Sequence, residues 1–178
     1  MAIRCVVTGQ KNDGKSVIVA DKQVEPITVS LLPGTEFHRL WGSNTQPTLP
    51  ADGEPPDQSG YFPPPGGYRF GFFTLGPDSI SMPEDLDIEA ALLELDAKLP
   101  GLAEAMEPDY PGTHTTDTVD LDLVVSGEVW LELDDGEEVQ LHVGDCVVQN
   151  GTRHAWHNRT SEPAVMFVAL LGSARRAR

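Results

Sequence analysis

Between Gly112 and Leu171 the chain repeats one device: short runs with related side chains at every second position, cut by tight turns. In the first run Val119, Leu121, Leu123 and Val125 fall on one face, and Thr118, Asp120, Asp122 and Val124 on the other. Ser126-Gly127 leads into 128–133, Asp134-Asp-Gly136 turns the chain back into 139–143, and Gly144-Asp145 leads to further runs at 146–149, 155–158 and 164–171. A period of two is that of a β-strand, and Asp-Gly between two such runs is a hairpin signal. Short strands at even spacing must hide their edges, and a closed or two-layered structure does so, which predicts an all-β sandwich or barrel.

The preceding residues read as cover for that unit. Runs at 3–8 and 16–20, joined by Asn12-Asp-Gly14, predict an N-terminal hairpin, and strands are expected at 27–32 and 35–41. From 42 to 67 the density of proline predicts a long irregular loop, readable as a lid, an interaction arm or a disordered excursion. Tyr68 to Leu75 alternates aromatics and reads as a strand buried on both sides. The period then changes: Ile88, Ala91, Leu92, Leu95 and Leu99 recur at helical spacing behind Glu84, Asp85 and Asp87, predicting one amphipathic helix within 81–99, stopped by Pro100-Gly101. The expected organisation is one structural domain, with cover in 1–111, the core strands in 112–172 and a basic tail in 173–178.

A net charge of −16 argues against nucleic acid and against anionic membrane surfaces as partners, since both require clustered Lys and Arg. No apolar run reaches membrane-spanning length and no signal segment opens the chain, so a cytoplasmic location is expected. Cys5 and Cys146 are too few for a disulfide framework, and Cys146 reads as core packing.

The chemistry concentrates in two pieces, His114-Thr-Thr-Asp-Thr-Val-Asp120 and Gly144-Asp-Cys-Val-Val-Gln-Asn-Gly-Thr-Arg-His154. Here the chain resembles the cupin superfamily. The family's first motif is a His-x-His pair, a Glu and a closing glycine; Gly127 matches the glycine, Asp120 falls at the Glu, and His114 and Thr116 at the two histidines. Gly144-Asp145, Gly151, His154 and Asn158 match the second motif, with Gln149 where a proline is usual.

The resemblance implies a jelly-roll β-barrel, carrying here an N-terminal β-strand extension, and a metal held by imidazoles and a carboxylate at the barrel mouth. With Thr116 in place of one imidazole, the implied ligands are His114, His154 and Asp120. Two histidines and a carboxylate with open positions suit Fe(II), and Zn(II) or Mn(II) would accept them. Thr116, Trp156 and Asn158 are the expected pocket residues, and Asp117 and Asp122 the candidates for proton transfer. The expected activity is that of a metal-dependent enzyme on a small organic molecule, an oxygenase, decarboxylase or isomerase/cyclase, in a homodimer. The alternative is a metal-free cupin that binds a small molecule or serves as a non-catalytic dimeric accessory protein.

Overall fold

The computed structural model describes residues 2–176. Ten strands and two helices follow in order: β1 (Ile3–Gln10), β2 (Ser16–Val24), β3 (Glu36–Ser43), β4 (Tyr68–Leu75), α1 (Ile88–Lys98), α2 (Leu102–Ala105), β5 (Thr118–Ser126), β6 (Val129–Glu132), β7 (Glu138–Leu141), β8 (Cys146–Asn150), β9 (Ala155–His157) and β10 (Ala164–Gly172). They form a five-stranded sheet in the order β3-β4-β10-β5-β8, a three-stranded sheet β7-β6-β9, and a separate β1-β2 hairpin. This is an all-β architecture of the jelly-roll kind, in which two antiparallel sheets face each other without closing into one ring. The large sheet takes β3 and β4 from before residue 112 and β5, β8 and β10 from after it. Strand β10 lies at its centre, hydrogen-bonded to β4 on one side and β5 on the other, which suits its unbroken apolar run.

Two hydrophobic clusters hold the layers together. Val124, Ala164 and Met166 of the large sheet meet Val129, Leu131 and Leu141 of the small one. Leu95, Leu99 and Leu102 of the helical segment meet Val29 and, in β3, Phe37. Each fully buried aliphatic side chain contributes on the order of 1.5–3 kcal/mol. Residue Gly127 links β5 to β6 at φ 77°, and a Cβ there would lie 2.8 Å from Ala164 Cα, so the turn needs glycine on both counts.

Several expectations change in detail. Only Ile27 pairs, in a single bridge with Phe37, so 27–32 is a connecting segment rather than a strand. The helix is shorter than the apolar pattern suggests because Asp87 caps it, accepting the Ala90 amide at 3.1 Å, and leaves 81–86 outside. Ala91, Leu95 and Leu99 are buried while Ile88 and Leu92 are exposed. The expectation that β4 is covered on both faces fails at Phe70, and the outward side chains Leu121, Val125, Val148 and Leu171 of the same sheet are exposed with it. Alternation places Cys146 outward as well; it is exposed rather than packed in the core. Arg175 is held rather than free, paired with Asp117 and donating to Thr116 O at 2.9 Å, while Ala177 and Arg178 of the expected tail lie outside the described residues. Among the described residues, no helix is long and apolar enough to cross a membrane.

Candidate functional site

The inward face of β5 is the polar one. Thr118, Asp120, Asp122 and Val124 are buried, whereas Leu121 and Val125 point away. Just before this strand, His114 forms an isolated antiparallel bridge with His154, which lies between β8 and β9. The two residues exchange both backbone bonds, His114 N–H to His154 O at 2.9 Å and His154 N–H to His114 O at 3.0 Å. Directly opposed residues project their side chains to the same side, and the two imidazole centroids lie 4.2 Å apart.

Both rings are oriented by their own backbone. His114 Nδ1 lies 3.0 Å from Gly112 O, and His154 Nδ1 lies 2.9 Å from Thr152 O. A carbonyl only accepts, so in each ring Nδ1 carries the hydrogen and Nε2 keeps its lone pair. Burial lowers the pKa of His114, and burial together with His114 brings His154 down to about 4. At neutral pH both imidazoles are therefore uncharged and present a basic Nε2, the form in which histidine binds a metal, with backing from a carbonyl.

These rings open on a cavity of about 140 Å³ at the seam between the two hydrophobic clusters. That is the size class of an engineered apolar cavity of ~150 Å³ that admits benzene. Phe37, Tyr61, Phe62, Phe73, Met106 and Trp156 form much of its wall, and its polar lining includes Asp120 and Asp122 beside the histidines. Both residues are 5% exposed, and among the described residues Asp120 Oδ1 has no hydrogen-bond partner. Burial pushes Asp120 up to about 6 against a bond from the Thr118 hydroxyl, and burial plus the charge of Asp120 pushes Asp122 up to about 7. Tyr61 is raised by burial and keeps its proton.

His114, Asp120, Asp122, His154 and Trp156 line this one cavity. Asp117 does not belong to it. The strand begins only at Thr118, and the bend before it sends Asp117 to the surface, where it pairs with Arg175. Thr116 is buried beside the site, its hydroxyl 2.7 Å from that of Thr118, and is not part of the lining. Asn158 is a structural lock, not a wall residue: its Nδ2 donates to Leu75 O at 3.0 Å and to Glu162 O at 2.8 Å.

Tyr61 and Phe62 come from the Pro-rich segment. Arg39 donates to the Gln58 and Gly60 carbonyls, and Arg69 to Gly60 O, fixing the loop against the sheet. The clustering of Pro63-Pro-Pro65 with two aromatics was the available sign that this loop carries wall residues.

The donor chemistry fits a divalent transition metal at the two imidazoles, and Asp120 lines the same cavity. The three ligand atoms do not, however, all approach within 4.8 Å of one another; among the described residues, the trio that does is Glu132, Glu138 and His157. That trio lies on the other face of the small sheet from Trp156, and Arg159 already pairs with Glu138.

Residues 106–170 match the family model Cupin_2, a cupin domain. Oryzines biosynthesis cluster protein J of Aspergillus oryzae is 38% identical over 79 residues, 40% of this chain and 44% of that protein. Phomopsin biosynthesis cluster proteins C' and D of Diaporthe leptostromiformis are each 44% identical over 59 residues, 32% of this chain and 31% of theirs. The chain thus spans less than half the length of these curated relatives. Among solved structures, the Cnp3 cupin domain of Schizosaccharomyces pombe aligns over 97% of this chain and 88% of that one, with 8% identity and a TM-score of 0.48. A Cupin 2 conserved barrel domain protein from Salinispora arenicola aligns over 84% and 88%, with 15% identity and a TM-score of 0.41.

Proposed function

We propose, for a chain whose residues 106–170 place it in the cupin superfamily, that it is a metal-dependent enzyme acting on a small, mostly apolar organic molecule held in the cavity beneath Tyr61 and Phe62. The reaction belongs to the oxygenase, decarboxylase or isomerase/cyclase types. The relatives named for oryzine and phomopsin biosynthesis clusters support a place in the chemistry of small natural products. In this reading 112–172 is the working core, and 1–111 supplies cover and much of the cavity wall.

The observation that carries the proposal is the opposed histidine pair, with each Nδ1 bound to a carbonyl and each Nε2 left basic. His114 and His154 would hold Fe, Zn or Mn, with Asp120 as the carboxylate. Bound there, such an ion supplies a Lewis acid with open positions. The chain's own residues do the rest. The aromatic wall orients the guest and excludes water, and Asp122, poised near neutrality by burial, holds or gives up a proton at its carboxyl oxygens. Asp117 has no part in this, since it lies at the surface.

A second reading has its own support. Because the ligand atoms of His114, Asp120 and His154 do not all lie within 4.8 Å of one another, a metal-free cupin that binds the same class of molecule fits the cavity equally. Elemental analysis of untagged protein purified without chelator separates the two. The metal reading expects a stoichiometric transition metal that is lost in His154→Ala with the fold retained by circular dichroism. No metal, and none taken up from Fe(II), Mn(II) or Zn(II), would leave the binding reading in possession.

A further inference from the structure

We infer that the cavity is a receptor for a small apolar amine, whose ammonium group is received by Asp122, in the field of Asp120, and whose body lies against the aromatic wall. The inference rests on the cavity being a ligand site, and not on the metal.

The first support is an imbalance of charge. Two carboxyls, each 5% exposed, face the cavity, yet no Lys or Arg is among its lining residues. The surrounding cations are committed elsewhere. Arg39 and Arg69 are turned onto loop carbonyls, Arg153 is paired with Glu107 and Asp134, and Arg175 with Asp117. Each histidine has turned its Nδ1 onto a backbone carbonyl. A buried carboxylate is costly unless a donor or cation meets it, and Asp120 Oδ1 meets neither among the described residues. A cation held at Asp122 would offset part of that cost through its field.

The second support is the wall. Phe37, Tyr61, Phe62, Phe73 and Trp156 surround the cavity and give apolar contact, while their ring faces attract a cation. A carboxylic acid or phosphate of the same size would meet two carboxyls and no cation. The net charge of −16 adds to the discrimination by drawing cations and repelling anions at a distance.

The test is calorimetric titration near neutral pH with three probes of similar shape: 2-phenylethylamine, 2-phenylethanol and 3-phenylpropionate. It is run on the protein as purified and again after chelation. The amine is expected to bind at least about tenfold more tightly than the acid, with the alcohol between them. Asp122→Asn should weaken the amine at least about tenfold and the alcohol by much less. Equal or tighter binding of the acid, or no binding of the amine, overturns the inference on the wild-type protein alone, whatever the variant does. An Asp122→Asn protein that binds the alcohol normally and the amine as tightly as wild type overturns the assignment to Asp122. Amine binding that survives chelation in a protein without metal would remove the enzymatic reading and leave this one standing. A metal-loaded protein that prefers the acid would do the reverse.

Discussion

Replacing Asn158 by Ala should destabilise the fold although the residue lines no part of the cavity. Asn158 is 0% exposed and all four bonding positions of its amide are occupied. Its Nδ2 donates to Leu75 O and Glu162 O, and its Oδ1 accepts the Thr160 amide at 3.0 Å and the Thr160 hydroxyl at 2.7 Å. The alanine variant keeps the backbone bonds to Asp78, and Glu162 O keeps the Thr160 hydroxyl at 2.9 Å, but Leu75 O loses the amide donor and the Thr160 amide loses its acceptor. Each stranded buried group costs about 1–3 kcal/mol, so the loss should reach about 3–5 kcal/mol, a large part of a typical domain's ~5–15 kcal/mol. Urea unfolding monitored by fluorescence gives the difference, with the slope unchanged. Asn158→Asp is the sharper companion: it points a carboxylate at two carbonyls, and its cost should shrink on acidification as the added group protonates and regains a donor. A loss below about 1 kcal/mol in the alanine variant would refute the lock, and with it the removal of Asn158 from the ligand-contacting residues.

Two further outcomes follow from the same geometry. In the metal-free protein, the raised Asp122 pKa means that the folded state holds a proton which the unfolded chain has released, so stability falls as pH rises from about 4 to about 7 and levels off above. From 3.8 to about 7 the cost is about 4 kcal/mol, and Asp122→Asn should flatten that part of the profile and raise the melting temperature in mild alkali; an unchanged slope would count against burial as the cause. Gly127→Ala combines a left-handed backbone with a contact 2.8 Å from Ala164 Cα, and should lower stability by about 2 kcal/mol or more, whereas a melting temperature equal to wild type would contradict the close approach of β5–β6 to β10.

Strand positions were legible wherever an element satisfied its own periodicity. The run from β5 to β10 alternates because each strand has one face on the core and one away from it, and the turns are written in Asp, Asn and Gly. What the pattern left open was which face of β5 looks inward. By hydrophobicity alone Val119, Leu121, Leu123 and Val125 would be the buried set, yet Leu121 and Val125 are exposed and Asp120 and Asp122 buried. Only the motif alignment, which required Asp120 to point to the site, chose correctly. The segment 27–32 failed for the complementary reason: it has strand-like composition, but α1 and α2 pack over Val29, so its apolar side chains are covered without a ladder.

The same contrast separates the parts of the site. His114 and His154 lie in local motifs, and the bridge between them follows from where β5 and β8 must pair. Tyr61, Phe62, Leu102 and Met106 reach the cavity from a loop and a helical segment whose course is set by distant contacts, such as Arg39 and Arg69 on the loop carbonyls. No period announces such residues, because an irregular backbone carries none. Asp117 shows the converse. Its neighbourhood in sequence suggested the site, but a carboxylate at a bend goes where solvation and a cation are available, and Arg175 offers both at the surface. Asp120 and Asp122 had neither choice, since the ladder to β8 and β10 fixes their direction and turns them into the core. A carboxylate placed by backbone pairing against its own solvation cost is stabilised when a cation or donor comes to face it, which is what the occupant proposed for this cavity would do.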